Sequence, residues 1–412
     1  MKKPKLAIVT GSFVESNLPL MQGLCAEGYD VDLYFCLFNK NTRNANGLDF
    51  AINHTLKYGE IYEIDYDKSV GCAFIRKYTN SHIYVYQGTK TGTNSTSIKK
   101  AIAQLICKFE LRSLAKKINS NNYDFVELVG PDVFVMWLHK MLKVKNVLMS
   151  FHEVFLNHFN HKILHPTVEY SIKNSLRIRT FSESVKKDIM EYSSQSNINI
   201  NVVPFGLYKC YKDFDKANVN IDIPFTNYIL FTGFIVPYKG LSFLYDSIKE
   251  SLEKGKLNLV IAGKGNDPSL SKLAKYQNVK IINRWISNAE MVFLIRNCRF
   301  IVCPYLSASQ SGIPQTAFVY KKPIVSTNVG GFSDIIDDGL SGYLVDKNSC
   351  EELKNKITHL YQDDNDYNKM TVFIENFEKS KPYYSWKRII NEYIELNKIR
   401  EYEENSSIND SI

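Results

Sequence analysis

The sequence predicts an α/β protein built from two parallel-sheet domains in tandem. Along most of the 412 residues, short apolar runs of strand length alternate with stretches of helical period. Glycine-rich turns follow many of the runs, as they do at the carboxyl ends of strands in a parallel sheet. A segment of weak periodicity at 206–226 separates two such series. We therefore expect one domain on each side of it, with their turn-bearing edges facing across a cleft.

The first series predicts an N-terminal domain over residues 1–205. It opens with a βαβ unit, formed by a strand at 6–10, a helix at 18–27 that ends at Gly28, and a strand at 31–35. The remaining predicted elements are strands at 83–86, 125–129, 147–151, 176–181 and 200–204 and a helix at 185–193.

The second series predicts a C-terminal domain over residues 206–375. Its predicted elements are strands at 228–232, 257–262, 279–282, 301–303, 323–326 and 343–345 and helices at 240–253, 269–275 and 288–296. Leu353, Ile357 and Leu360 give one more amphipathic helix, and another helix is expected at 386–397. The acidic, polar segment 401–412 is predicted to be disordered.

Charge and cysteine content narrow the functional classes. Lys and Arg outnumber Asp and Glu by 51 to 43, a net charge of +8 that suits anionic partners. Nucleic acid is not expected among them, because no aromatic–basic recognition motif is found. The eight cysteines include no Cys-x-x-Cys pair, and no signal segment or membrane-spanning run is recognised. These features predict a cytosolic protein without a structural zinc site.

Candidate binding or catalytic residues follow three of the predicted strands. Lys239 lies between Gly233 and Gly240 after the strand 228–232, where a lysine can meet a diphosphate as a point charge. The polar turn 309–312 opens a helix, which suits an anion. His152 follows the strand 147–151, where it can hydrogen-bond to a substrate hydroxyl. Lys239 and His152 also have ordinary structural interpretations, as a solvated surface lysine and as a structural histidine.

Two further patterns are open to more than one interpretation. Asp-x-Asp at 30–32 and at 65–67 matches a metal-holding motif, but chance matches to so short a pattern are expected, so no metal site is predicted. Segment 99–117 is a basic amphipathic helix. Such a helix either lies on an anionic membrane surface or packs on its own sheet, and the second outcome is favoured.

Seven short motifs occur in a set order over residues 200–346. They are Val-Pro-Phe-Gly at 203–206, Phe-Thr-Gly through Tyr-Lys-Gly at 231–240, Ala-Gly-Lys-Gly at 262–265, Cys-Pro-Tyr at 303–305, Lys-Pro-Ile-Val at 322–325, Asn-Val-Gly-Gly at 328–331 and Asp-Gly-Leu-Ser-Gly at 338–342. The ordered set resembles glycosyltransferase family 4, which has the GT-B architecture of two Rossmann-like domains. The Ser-Gln-Ser-Gly sequence at 309–312 resembles one branch of that family.

The resemblance implies a retaining, metal-independent transfer of a sugar from a nucleotide-sugar to an acceptor hydroxyl. It also implies a glycan or lipid-linked acceptor in surface polysaccharide or glycoconjugate synthesis, at the inner face of the membrane. The segment 376–400 would cross back onto the first domain. His152 and Lys239 would be catalytic. The implied donor-binding residues are Gly11, Ser12, Gly233, Lys239, Lys264, Arg284, Ile286, Ser307, Gln310, Ser311, Gly312 and Ile313.

The chain departs from the family pattern at three positions. Ser307 (or Ala308) and Thr316 stand where two glutamates are usual, and Phe234 or Val236 stands where an arginine is often found. Losing one cation from a diphosphate site weakens binding by about 1–3 kcal/mol, with Lys264 as a candidate replacement. Two alternatives therefore stay open: a non-catalytic nucleotide-sugar-binding or interaction protein of the same fold, and a nucleotide-sugar epimerase.

Overall fold

In the computed structural model, the chain forms two α/β units. The structure describes residues 4–12, 14–38, 50–72, 76–78, 81–89, 97–155, 163–193 and 198–409. The first unit contains the described residues up to Gly206 together with the chain from Tyr383 onward, and the second unit is Leu207–Pro382. The first unit is therefore discontinuous in sequence.

The first unit is built on a sheet of eight strands among the described residues. Its elements are β1 (Lys5–Thr10), α1 (Val14–Ala26), β2 (Asp30–Leu37), β3 (Ile61–Glu63), β4 (Ile83–Gln87), α2 (Ser97–Ser120), β5 (Phe125–Val129), α3 (Val133–His139), β6 (Val147–Phe151), α4 (Pro166–Lys173), β7 (Arg177–Thr180), α5 (Glu183–Tyr192) and β8 (Ile200–Val202). The strand order is β3-β4-β2-β1-β5-β6-β7-β8, and every neighbouring pair is parallel except β3 with β4.

The second unit is built on a parallel sheet. Its elements are β9 (Ile229–Thr232), α6 (Leu241–Glu253), β10 (Leu259–Ala262), α7 (Leu270–Leu273), β11 (Val279–Ile282), α8 (Asn288–Asn297), β12 (Phe300–Cys303), α9 (Ile313–Val319), β13 (Ile324–Thr327), α10 (Phe332–Ile335), β14 (Gly342–Val345), α11 (Cys350–Gln362), α12 (Asp364–Glu375) and α13 (Phe377–Ser380). The order β11-β10-β9-β12-β13-β14 places β9 in the middle. All residues of β9, β10, β12 and β13 are buried, as expected when helices cover both faces.

The last helix, α14 (Trp386–Asn409), returns to the first unit and packs on α1. The two helices meet at Gly23, where an added Cβ would lie 1.9 Å from Ile390 Cδ1. A side chain at this position would therefore displace the side chain of Ile390. Tyr383 Oη, just before α14, donates a hydrogen bond of 3.3 Å to the carbonyl oxygen of Val202.

A buried polar network ties α14 to the centre of the first sheet. Glu127 of β5 accepts a hydrogen bond of 2.9 Å from Arg179 Nη1 of β7 and one of 2.8 Å from Tyr393 Oη of α14. Ser150 of β6 donates to the same carboxylate. Glu127 and Tyr393 are 0% exposed and Arg179 is 2% exposed, so the Glu127–Arg179 ion pair has no access to water. The hydrogen bonds to Glu127 offset the free-energy cost of burying these two charges.

The structure differs from the sequence predictions in several elements. The first sheet is mixed, because the three-residue edge strand β3 runs antiparallel to β4. Helices α3, α4 and α12 were not predicted from the sequence. Helix α14 continues to Asn409, so the structure is helical over most of the segment 401–412 that was predicted to be disordered. The glutamates of this segment are good helix formers. Among the described helices, none is both long and apolar enough to cross a bilayer.

Candidate functional site

The loops at the carboxyl ends of the second sheet form a continuous edge. The loop after β9 is bonded to the loop after β10, since Ile235 N–H donates to the carbonyl oxygen of Lys264 at 3.0 Å. It is bonded to the loop after β12 through Leu306 N–H and the Tyr238 carbonyl oxygen, at 2.7 Å. This edge contains every residue that the sequence predicted for donor binding in the second unit.

Gly240 allows the loops after β9 and β12 to touch. Its φ is +70°, and an added Cβ would lie 1.9 Å from the carbonyl oxygen of Pro304. Both the backbone conformation and the lack of space exclude a side chain here. The turn therefore fixes Lys239, the preceding residue, against the loop after β12.

Lys239 is the central charge of this edge. It ends a short 3-10 turn, Pro237–Lys239, and its side chain is half-buried. Its Nζ donates a hydrogen bond of 2.8 Å to Tyr305 Oη and lies 4.5 Å from the centre of that ring. Among the described residues, no carboxylate pairs with this ammonium. Burial lowers the pKa of Lys239, which is the response of a cation that is desolvated without an anion.

Tyr305 holds Lys239 without cancelling its charge. The ring is 2% exposed, and burial raises the pKa of Tyr305 well above its usual range, so the hydroxyl is neutral at physiological pH. A hydrogen bond with the Ser311 side chain opposes part of that rise. The Tyr305 carbonyl oxygen accepts from Thr327 Oγ1 at 2.5 Å, which anchors it to β13. Tyr305 therefore provides no counter-charge to Lys239, and an anionic ligand can supply one.

The turn before α9 and the first turn of that helix contain buried amide oxygens without donors. The Oε1 atoms of Gln310 and of Gln315 have no hydrogen-bond partner among the described residues, and Gln315 is only 6% exposed. Ser311 Oγ accepts from Ile313 N at 3.4 Å, and Gly312 is the N-cap of α9. Gln315 was not among the residues predicted from the sequence. A polar residue one position after Pro314, at the start of a helix, was the signal that could have found it.

The two positions that lack the usual glutamates differ in their surroundings. Thr316 is 2% exposed, and its Oγ1 donates back to the carbonyl oxygen of Gly312 at 3.0 Å. Its hydroxyl is therefore committed to the helix backbone. Ser307 is half-buried in the loop after β12.

Two exposed aromatic rings stand together at the same edge. Phe234, after β9, is 54% exposed, and Trp285, after β11, is 37% exposed. Their ring centres are 5.8 Å apart at an angle of 59°. Phe234 occupies one of the positions where the resembled family often has an arginine, so this chain has an aromatic ring where a cation is usual.

Arg284 holds the start of α8. Its guanidinium binds both carboxylate oxygens of Glu290, at 2.9 and 2.7 Å, and Glu290 forms a capping box with Ser287. The side chain is therefore occupied, and only the backbone of 284–286 remains as the predicted base contact. Ile286 is half-buried beside it, and the Lys264 side chain is exposed after β10. The roles of these residues stay predictions.

The first unit brings Gly11, Ser12 and His152 to the carboxyl edge of its own sheet. Gly11 and Ser12 follow β1, and Thr10 Oγ1 donates to the Ser12 carbonyl oxygen. His152 follows β6 and is half-buried. In the sheet, β5 alone separates β1 from β6. Contacts of Gly11, Ser12 and His152 with a ligand stay predictions.

Asp32, from the first Asp-x-Asp pattern, is a structural residue. It is fully buried, accepts a hydrogen bond of 3.0 Å from His82 N and is bonded to the Tyr123 hydroxyl. In the part of the chain that the structure describes, no group of three or more His, Cys, Asp or Glu side chains could hold a metal ion.

Comparison with protein families places a known domain over this edge. Residues 226–363 match the family described as Glycosyl transferases group 1. The uncharacterized glycosyltransferase MJ1178 of Methanocaldococcus jannaschii is 29% identical over 173 residues, which are 40% of this chain and 46% of the relative. MJ1607 of the same organism is 22% identical over 252 residues, 58% of this chain and 64% of the relative. The chain thus spans less than two thirds of the curated relatives it matches.

Solved structures resemble the chain over nearly its full length. A glycosyltransferase from Rickettsia africae ESF-5 has a TM-score of 0.62 at 13% identity and covers 97% of this chain and 98% of its own. Anabaena Alr3699/HepE in complex with UDP and glucose has a TM-score of 0.61 at 13% identity and covers 95% and 99%. These neighbours confirm the predicted class of fold, two α/β domains of the GT-B type. The residues that match the group 1 glycosyl transferases lie within the second unit.

Proposed function

We propose that the protein is a glycosyltransferase that moves a sugar from a nucleotide-sugar to an acceptor hydroxyl, with retention at the anomeric carbon. The observation that carries this proposal is Lys239, a half-buried ammonium held by a neutral Tyr305 with no carboxylate partner among the described residues. A desolvated cation of this kind is stabilised by an anionic ligand. The group 1 glycosyltransferase match includes this lysine.

In the proposed reaction, Lys239 stabilises the diphosphate as it leaves. The bond from the anomeric carbon to the diphosphate oxygen breaks, the acceptor oxygen bonds to that carbon, and the acceptor proton passes to the departing phosphate oxygen. A fixed cation in a partly dry site favours the charge that develops on the leaving group. The backbone N–H groups around 311–313 share this charge, and the proposal requires neither a resident metal nor a protein nucleophile.

The buried amide oxygens of Gln310 and Gln315 support a ligand rich in hydroxyl groups. A buried acceptor without a donor costs about 1–3 kcal/mol. Two such atoms close to one turn are explained if a bound ligand supplies the donors. Sugar hydroxyls have this chemistry. We therefore assign the turn before α9 to the sugar and diphosphate part of the donor.

The aromatic pair Phe234 and Trp285 supports a base at the other end of the donor. Exposed rings at a sheet edge provide stacking surface for a heterocycle. Anabaena Alr3699/HepE has been solved in complex with UDP-glucose, and a neighbour from E. coli has been solved bound with UDP-2-fluoro glucose. A uridine nucleotide-sugar is therefore the first donor to test. Membership of family 4 and a role in polysaccharide or glycoconjugate synthesis are further parts of the proposal, and they rest on the sequence motifs.

Thermal unfolding with UDP, GDP, dTDP and their sugars tests the donor site. A ligand that binds only the folded state raises the melting temperature. We expect one nucleotide family to raise it, and we expect Gln315→Met to reduce the shift from the nucleotide-sugar more than the shift from the free nucleotide. If no nucleotide raises the melting temperature, the proposal that a nucleotide-sugar binds at this edge is wrong. With an acceptor panel, the anomeric configuration of the product, measured by NMR, tests retention.

A second candidate function is nucleotide-sugar binding without transfer. Thr316 favours it, because its hydroxyl is committed to Gly312 and cannot replace the missing carboxylate. The two candidates differ in one result. A donor-induced melting shift with no transfer and no hydrolysis, across glycan and lipid-linked acceptors, supports the binding protein, whereas product formation excludes it.

A further inference from the structure

Helix α2 carries apolar side chains on two opposite faces. One face packs in the core of the first unit through Cys107, Leu111, Leu114, Ala115 and Ile118. The other face presents Ile98, Ile102, Leu105, Ile106 and Phe109, which are 45–74% exposed. At about 100° per residue, these five positions fall within an arc of about 100°. They form one continuous surface, here called the apolar stripe, rather than scattered single residues.

Basic residues border the apolar stripe. Six Lys or Arg residues and one acidic residue, Glu110, occur in α2. The Glu110 carboxylate is occupied by the backbone N–H and the hydroxyl of Thr89, both at 2.8 Å. Lys99, Lys108 and Lys116 are exposed. The helix therefore presents apolar and positively charged surface together.

A basic pocket lies at the C-terminal end of α2. Its lining includes Arg112, Lys116 and Lys143. Asn119 shapes its wall by donating to the Met141 carbonyl oxygen at 3.0 Å and accepting from Lys143 N at 2.8 Å. The lining contains no carboxylate. Three cations around one opening suit a phosphate group, and the apolar stripe starts one turn away, at Phe109.

We propose that α2 docks the protein on the surface of an anionic phospholipid bilayer. The apolar stripe enters the boundary of the acyl chains, and Arg112, Lys116 and Lys143 meet lipid phosphates. Charge selects this partner over a second copy of the chain. A symmetric dimer through the apolar stripe would bring two strongly basic helices together, which like-charge repulsion opposes. The inference does not depend on the proposed transfer reaction.

Vesicle flotation tests this surface. The probes are vesicles of phosphatidylcholine alone and vesicles with about one third phosphatidylglycerol. We expect the full chain to float with the anionic vesicles only, and to release as salt is raised. Ile102→Ser, Leu105→Ser and Phe109→Ser together should weaken binding about tenfold or more. Arg112→Gln, Lys116→Gln and Lys143→Gln together should weaken it about fivefold per charge.

Matched variants elsewhere on the surface provide the controls. Exposed apolar residues outside α2 are replaced in Ile163→Ser, Leu340→Ser and Val372→Ser, and exposed lysines in Lys254→Gln, Lys256→Gln and Lys275→Gln. Both control variants should float like the wild type.

Three results would overturn the inference. They are a wild type that does not float with anionic vesicles, a stripe variant that floats as well as the wild type, and a wild-type dimer that the stripe variant converts to monomers without any vesicle binding. Because flotation needs neither donor nor acceptor, it succeeds or fails independently of nucleotide binding at Lys239.

Discussion

The Tyr393 hydroxyl donates a 2.8 Å hydrogen bond to Glu127, so the last helix of the chain contacts a carboxylate at the centre of the first sheet. Glu127→Gln would leave Arg179 buried without a counter-charge, and we expect a loss of about 3–5 kcal/mol in the free energy of unfolding. Tyr393→Phe should cost about 1–3 kcal/mol. Urea unfolding measures both. Tyr276→Phe, which removes a surface tyrosine hydroxyl 3.4 Å from Glu253, is the control and should change little.

Lys239→Met should have opposite effects on the two properties: donor binding should become weaker and the ligand-free protein more stable. Removal of the ammonium should weaken nucleotide-sugar binding about 10- to 150-fold, the scale of one charged hydrogen bond. It should also raise the melting temperature of the ligand-free protein at neutral pH, because the lowered pKa of Lys239 means that its charge is unfavourable in the folded state.

The pH dependence of this effect has a definite sign. The unfolded lysine holds its proton up to its ordinary pKa, whereas the folded one loses it earlier, so wild-type stability recovers as pH rises through that window. The advantage of Lys239→Met should therefore shrink at alkaline pH. Lys256→Met, at an exposed lysine that precedes β10 and lies outside this edge, is the control. Equal loss of binding in both variants would contradict a special role for Lys239.

Gly240→Ala should be far more damaging than Gly255→Ala. Both glycines have positive φ, +70° and +62°, so both substitutions carry the backbone cost of about 1–2 kcal/mol. At Gly240 the added Cβ would also lie 1.9 Å from the Pro304 carbonyl oxygen, whereas at Gly255 it meets nothing within 4 Å. We expect Gly240→Ala to displace the loop that carries Lys239 and to abolish the donor-induced melting shift. Gly255→Ala should keep that shift, and similar losses at both sites would argue against the observed contact.

Asp188→Asn should stabilise the protein in neutral but not in acidic solution. Burial, with Glu191 nearby, raises the pKa of Asp188 from 3.8 to about 6. The folded state then holds an extra proton between these values, so stability falls as pH rises from about 4 to 6 and the loss persists above. Because this carboxyl is only half-buried, the gain from Asn should stay below about 1 kcal/mol. Melting curves at pH 4 and 7 measure this gain in stability. The control is Asp246→Asn, at an exposed aspartate. A stability gain of Asp188→Asn at pH 4 would contradict the raised pKa of Asp188 as its cause.

Elements with strong periodicity and clear caps were predicted almost to the residue. The second-unit helices expected at 240–253 and 288–296 are Leu241–Glu253 and Asn288–Asn297 in the structure. Their apolar spacing and flanking turns are local signals. The strand Ile61–Glu63 was not predicted, because three half-exposed residues have no detectable period and are defined by their pairing with β4.

The site was predicted only in part, because local sequence signals give the position of a residue but not its partners from distant parts of the chain. The position of Lys239 at a strand-to-helix turn is local, but its partner Tyr305 is 66 residues away and only the sheet brings the two together. The Ser-x-x-Glu pattern at 287–290 could have predicted the capping box and, with it, the carboxylate that occupies Arg284. Periodicity reveals both apolar faces of α2, but only packing shows which one is covered.

The route of α14 has a consequence for synthesis of the protein on the ribosome. The first unit lacks its closing helix until about 180 further residues have been made, roughly 10–40 s at ordinary rates of translation. During that time the α1 surface around Gly23 and the Glu127–Arg179 pair have no α14 to cover them. The described residues of the second unit run without a break from Leu207 to Pro382, so they are all made before α14. The half of the protein that is made first is thus the half that finishes folding last.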